Sequence, residues 1–144
     1  MQEEKKLLPQ EILQLMLNQD KFTEWLGLEI DEIGPGSCKL HFTVRKEMLN
    51  GFSNIHGGVI FSASDSAFAF ACNSHGRMAV AMEVNISFTR PVLPGELLIV
   101  EAKELYLGNK TGIYDIRTTN ERNELVAFFK GTAYRTSKII GRPE

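Results

Sequence analysis

The sequence predicts an α+β domain in which a curved antiparallel sheet of about six strands wraps one long central helix. Three observations predict it. Between Gly57 and Asn73 the chain runs through Gly, Ser, Ala, Val, Ile, Phe and Cys with one ionisable side chain, Asp65, and a helix that is small or apolar all round is a buried helix. Most of the remaining sequence alternates apolar and polar residues in runs separated by short turns, the pattern of antiparallel strands. The length of 144 residues, with 43% hydrophobic, suits one domain that buries roughly 70% of its unfolded surface without a disulfide or structural metal.

The elements follow in order. From Pro9 the apolar positions Ile12, Leu13, Leu15, Met16 and Leu17 give a short amphipathic helix, and Asp20 opens a second carrying Phe22, Trp25 and Leu26. Residues 1–25 are read as an N-terminal helical segment packing on the domain formed by 26–144. Leu26, Leu28 and Ile30 alternate with polar residues as a first strand, and Gly34-Pro35-Gly36 turns it. Cys38, Leu40, Phe42 and Val44 then share one face of a second strand. Residues 46–56 have no period and contain Asn50-Gly51, a turn dipeptide. After the buried helix, Val80, Met82, Val84, Ile86 and Phe88 are expected on one face of a strand ended by Arg90-Pro91. Three further strands are predicted over Leu97–Leu107, Thr111–Thr119 and Leu125–Thr136. Such an open sheet leaves edges uncovered, which predicts association with a second copy.

Charge narrows the function. Sixteen Lys and Arg against 18 Asp and Glu give a net charge of −2, with no basic stripe to follow a phosphate backbone, so nucleic acid is not expected as a partner. No window reaches the ~18 apolar residues of a membrane span. The N-terminus starts with Glu3-Glu4 and continues into an amphipathic pattern rather than a secretory leader, so a cytoplasmic protein is expected. Cys38 and Cys72 fall in apolar patterns, as reduced buried cysteines do. With His41, His56 and His75 they match no zinc spacing, and neither a metal nor another cofactor is expected.

Asp65 is the sharpest chemical signal, because a carboxylate in an apolar helix costs several kcal/mol unless something pairs or uses it. It is either bonded to backbone or to Ser62, Ser64 or Ser66, or it is a general base or nucleophile. The second signal is His56-Gly57-Gly58, where glycines in the first helical turn let a ligand oxygen approach free N–H groups at the positive end of the helix dipole; a plain tight turn is the alternative. Asn50 offers a side-chain donor nearby, or serves as an Asn-Gly turn residue. Gly57 and Asp65 lie eight residues apart, about 12 Å along a helix. An oxyanion donor and a nucleophile must each lie about 3 Å from the same reacting group, so one chain cannot bring these two together. Two copies paired with antiparallel helices can, and the site is then made twice at the interface. No Gly-x-Ser-x-Gly elbow, Walker A loop, Gly-x-Gly-x-x-Gly or His-Glu-x-x-His is present.

The stretches Met48-Leu49-Asn50-Gly51, His56-Gly57-Gly58-Val59-Ile60-Phe61 and Ser64 to Ser74, extended by Phe88-Thr89-Arg90-Pro91, Gly112 to Asp115 and Phe129-Lys130-Gly131, resemble hotdog-fold acyl-CoA thioesterases of the phenylacetate-degradation type. The resemblance implies a long helix wrapped by an antiparallel sheet, homodimers that often pair into homotetramers, and sites shared between chains. It implies that Asp65 activates water or attacks the thioester, that the Gly57 amide holds the carbonyl oxygen, and that Asn50 and His56 are accessory. The chain departs from many relatives in having Ser53-Asn54 where they have Gly-Thr, and Ala81 where some carry serine. The expected substrate is an acyl-CoA, with an aryl or phenylacetyl group among the candidates. Gly58, Phe61 and Phe68 are candidate substrate contacts, core packing being the alternative for the two aromatics, and Arg90 and Lys110 are candidate contacts for CoA phosphates. The rival reading is a non-catalytic acyl-CoA-binding or sensing module, and a second rival is a hydratase on the same architecture.

Overall fold

The computed structural model of the chain describes residues 6–143. Met1–Lys5, including the acidic start read above as unlike a secretory leader, and Glu144 lie outside the described residues. Two short helices, α1 (Pro9–Leu17) and α2 (Lys21–Leu26), precede the hairpin β1 (Glu29–Gly34) and β2 (Ser37–Thr43). A long helix, α3 (Gly57–Asn73), then leads to β3 (Arg77–Phe88), β4 (Leu97–Leu107), β5 (Thr111–Asn120) and β6 (Leu125–Ile139). All six strands form one antiparallel sheet in the order β1-β2-β4-β5-β6-β3. No helix among the described residues is long and apolar enough to cross a membrane.

Helix α3 touches every one of the six strands. Five inter-strand spacings of about 4.8 Å span roughly 24 Å, twice the 10–12 Å width of a helix, so the sheet must curl around α3. Ile60, Ala63, Ala67, Phe68 and Ala71 are buried on the sheet side. Phe68 meets Tyr114 edge-on at 5.5 Å and Phe129 at 5.9 Å between ring centres. The β6 strand makes room for it with Gly131, where a Cβ would fall 2.8 Å from the Phe68 ring. The opposite stripe of α3, Phe61, Ser62, Asp65, Ser66 and Ala69, is only partly covered. It is the face that the chain's own sheet leaves open.

Two sequence expectations are corrected. Leu26 is the last residue of α2 rather than the start of a strand. Gly27 adopts φ +80° to end the helix, and Arg45 donates to the carbonyls of Trp25 and Leu26 at 2.8 and 3.0 Å. The alternation of Leu26, Leu28 and Ile30 therefore spans a helix end, a connection and a strand. The β3 face also divides. A bulge between Ala81 and Glu83 shifts the phase by one residue, so Ala79, Ala81, Val84, Ile86 and Phe88 pair with the inward register of β6 while Val80 pairs with Tyr134 on the outer side. Because β3 is a sheet edge, Met78, Val80, Met82 and Phe88 remain exposed.

One side chain fixes how α3 joins β3. Asn73 donates from Nδ2 to the carbonyls of Ala69 and Ala79, at 2.9 and 3.1 Å, and its Oδ1 accepts from the Ala79 N–H at 2.9 Å. The amide thus pairs with Ala79 as a neighbouring strand would. Asn73→Ala strands both buried polar groups of Ala79 and should lower stability by about 2–4 kcal/mol in urea unfolding, whereas a loss below 1 kcal/mol would show that the amide is dispensable.

Candidate active site

The loop before α3 is cinched by backbone bonds. Asn50 N–H donates to the Asn54 carbonyl at 2.7 Å, His56 N–H to Met48 at 2.7 Å and Ile55 N–H to Val92 at 2.8 Å. The last bond brings the segment after β3 against the helix start. Asn50, Ile55, Gly57, Ile60, Phe88 and Arg90 consequently line one cavity of about 460 Å³. Asn50 serves as the turn residue the sequence offered and also lines the cavity. Its Oδ1 accepts from the N–H groups of Phe52 and Asn54 at 2.9 and 3.2 Å, which builds the turn.

His56 is the N-cap of α3. Its Nδ1 accepts the Gly58 N–H at 2.9 Å, which places the proton of the neutral ring on Nε2. The Gly58 N–H is therefore occupied, while the Gly57 N–H has no partner among the described residues and opens on the cavity. Space there is tight, since a Cβ on Gly57 would come within 3.1 Å of the Phe88 ring. The free amide carries the positive end of the α3 dipole.

Asp65 lies on the open stripe of α3 and not in this cavity. None of the neighbours that might have satisfied it does so. Ser62 donates to the Gly58 carbonyl at 2.8 Å, Ser66 meets Thr23 at 3.3 Å, and Ser64 Oγ is buried with no partner. No hydrogen bond or ion pair reaches the Asp65 carboxylate among the described residues. Partial burial alone pushes its pKa above the ordinary aspartate value.

The remaining sequence candidates fall in different places. Arg90 is on the cavity wall with its Nη2 paired to Glu124 at 2.8 Å. Lys110 is exposed on the turn between β4 and β5, outside that cavity. Phe68 is core, and Phe61, partly covered, stacks on Phe129 at 5.5 Å. His41 and His75 pair with carboxylates instead of joining the site, His41 with Glu29 and Asp31 and His75 with Glu104. No cluster of three His, Cys, Asp or Glu residues that could hold a metal occurs among the described residues. Phe88 and Ile60 are cavity residues that the sequence reading did not single out for the site, though Phe88 sits in the motif Phe88-Thr89-Arg90-Pro91.

Residues 52–127 match the family model described as the thioesterase superfamily. The chain belongs to the thioesterase superfamily. This thioesterase is 40% identical over 125 residues to the acyl-coenzyme A thioesterase PaaI of Escherichia coli, covering 87% of the chain and 89% of that relative. The structure of the E. coli PaaI protein from the phenylacetic acid degradation operon superposes with a TM-score of 0.89 at 37% identity, over 91% of this chain and 95% of that one. The TT0310 protein of Thermus thermophilus matches with a TM-score of 0.79 at 36% identity, over 82% and 99%. The fold of this thioesterase is the hotdog fold, and it is a thioester hydrolase.

The raised Asp65 pKa carries a stability consequence. The folded chain binds that proton more tightly than the unfolded chain, so the contribution of the group to stability improves as pH falls through the folded pKa and is a cost above it. Asp65→Asn should melt higher than the parent at pH 7, with the difference shrinking toward pH 4. A variant that melts lower at pH 7 would reveal an attractive partner for the carboxylate.

Proposed function

We propose that this thioesterase hydrolyses an acyl-CoA, of aryl or phenylacetyl type, to the free acid and CoA at two equivalent sites across a homodimer interface. One observation carries the reading. The chain holds a partnerless carboxylate on the open face of α3 and, about 12 Å away along the helix, a cavity with a free amide and an amide side chain but no base of its own. Each half lacks what the other supplies. Antiparallel pairing of two α3 helices brings Asp65 of one protomer to the Gly57 cavity of its partner, and the apolar edge of β3, with Val80 46% and Met82 59% exposed, supports that association. Pairing of such dimers into tetramers is part of the same proposal.

In the proposed reaction Asp65 takes a proton from water as the water oxygen attacks the thioester carbon. Charge gathers on the carbonyl oxygen, and the Gly57 N–H holds it with the Asn50 Nδ2 beside it. Collapse breaks the C–S bond, and CoA leaves as a thiolate that regains the proton from Asp65. A thiol is far more acidic than an alcohol, which makes the thiolate a good leaving group, so one base and one oxyanion site suffice. Direct attack by Asp65 followed by hydrolysis of the acyl-aspartyl anhydride gives the same acid and thiol. His56 holds the helix start that presents Gly57, with Gly58 as its partner. Phe61 and Phe88 support an aromatic acyl group, whereas Phe68 serves the core. Arg90 is the proposed contact for CoA phosphates, in exchange for Glu124, with Lys110 as a second. Two free buried cysteines support a reducing, cytoplasmic setting.

The test is thiol release from a panel of CoA thioesters, with phenylacetyl-CoA against octanoyl-CoA, by the parent and by Asp65→Asn. The variant should lose turnover while keeping its fold and oligomer size. For the parent, kcat/KM should fall as acid protonates Asp65, with a midpoint above the ordinary aspartate value because burial raises that pKa. Near-parental turnover by Asp65→Asn would remove Asp65 from the chemistry, and binding without turnover by the parent would favour an acyl-CoA-binding module.

A further inference from the structure

At the far end of α3 lies a second cavity of about 460 Å³, walled by Leu7, Leu107, Ile139 and Ile140. It shares no lining residue with the Gly57 cavity. Arg77, Arg135 and Arg142 line it together with Lys6 and His75, and among the described residues no Asp or Glu does. The guanidinium groups of Arg77 and Arg135 are held by neutral acceptors. Arg77 donates to the carbonyls of Thr136, Asn109 and Arg135 at 3.1, 2.8 and 3.3 Å and to Asn109 Oδ1 at 3.3 Å. Arg135 donates from Nη1 to the Gly108 carbonyl at 2.7 Å. By contrast Arg45, Arg90 and Arg122 each reach a carboxylate. A guanidinium does not deprotonate, so carbonyl bonds fix these two cations in place without cancelling their charge. Among the described residues, Arg135 has further N–H donors uncommitted.

We propose that this cavity binds an amphipathic carboxylate: a free carboxylic acid whose alkyl chain fills the Leu107 and Ile139 walls and whose carboxylate bonds to Arg135 beside Arg77. The apolar lining decides against a nucleotide, which is polar over most of its surface, and the fixed charges decide against a neutral hydrocarbon. A medium-chain acid fits the volume with a single polar end to satisfy. This is the chemical class that thioester hydrolysis releases, so the cavity is a second site for product-like acids, remote from Gly57 in the same chain.

Equilibrium dialysis of the full chain with labelled octanoate tests this, with octanamide as the neutral isostere and CoA as competitor. The readout is binding, so the result stands apart from turnover. One octanoate should bind per chain at least about tenfold more tightly than octanamide, the factor expected of a charge-assisted bond. Arg135→Gln should erase that preference, and so should Leu107→Glu, a change at a residue 38% exposed at the cavity mouth that places a like charge against the ligand. Asp65→Asn should leave octanoate binding intact. Equal affinity for octanoate and octanamide, loss of binding in Asp65→Asn, or displacement of octanoate by CoA that depends on Arg135 would each overturn the proposal.

Discussion

Helix α3 has apolar or small residues on nearly every side, and the need to bury it organises the rest of the chain. A flat sheet covers one face of a helix. Touching α3 with all six strands requires a curled sheet, and the chain crosses its whole width through α3 to place β3 beside β6 at the far edge. The stripe of Phe61, Asp65 and Ala69 then lacks cover, and the β3 edge keeps unpaired backbone groups and exposed Met and Val side chains. One constraint thus produces both an open helix face and an open strand edge on the same molecule, which is what a second copy needs for docking.

The proposed functional groups sit where that constraint leaves room. Gly57 can present a bare N–H because His56 takes the neighbouring one and because the Phe88 ring crowds the position a side chain would occupy. Asn50 builds the turn and also lines the cavity, so one residue serves both. Asp65 is left without a partner among the described residues, at a cost in stability that they do nothing to offset.

Much of this was legible in the sequence because it follows from local pattern. The buried helix showed in its composition, the strands of the second half in their period of two, and Asp65 as one charge among small residues. What the sequence hid depends on contacts between distant residues. Leu26 mimicked a strand position because a helix end and a strand happened to share a spacing, and the Arg45 bonds that end α2 come from nineteen residues away. The bulge in β3 leaves no composition signal, so the alternation through Val80 and Met82 read as one face. Phe61 and Phe68 look alike on the helix, and it is the space left by Gly131 together with the rings of Tyr114 and Phe129 that makes Phe68 the core residue. The pairing of Arg90 with Glu124 is equally invisible, since the two meet only once β3 lies against β6.

The central claim is that the site is complete only between two chains. Chains carrying Asp65→Asn and Gly57→Pro, each inactive alone, can be mixed, unfolded and re-annealed. Proline removes the amide donor and suits the backbone of a first helical turn, provided the Phe88 ring, 3.1 Å from a Cβ at that position, shifts by a few tenths of an ångström. A heterodimer then holds one site with both defects and one intact site, so an equal mixture should recover about a quarter of the parental sites. Thiol release returning toward that level is the predicted result. No recovery, with heterodimers demonstrated by mass spectrometry, would contradict a site built across the interface.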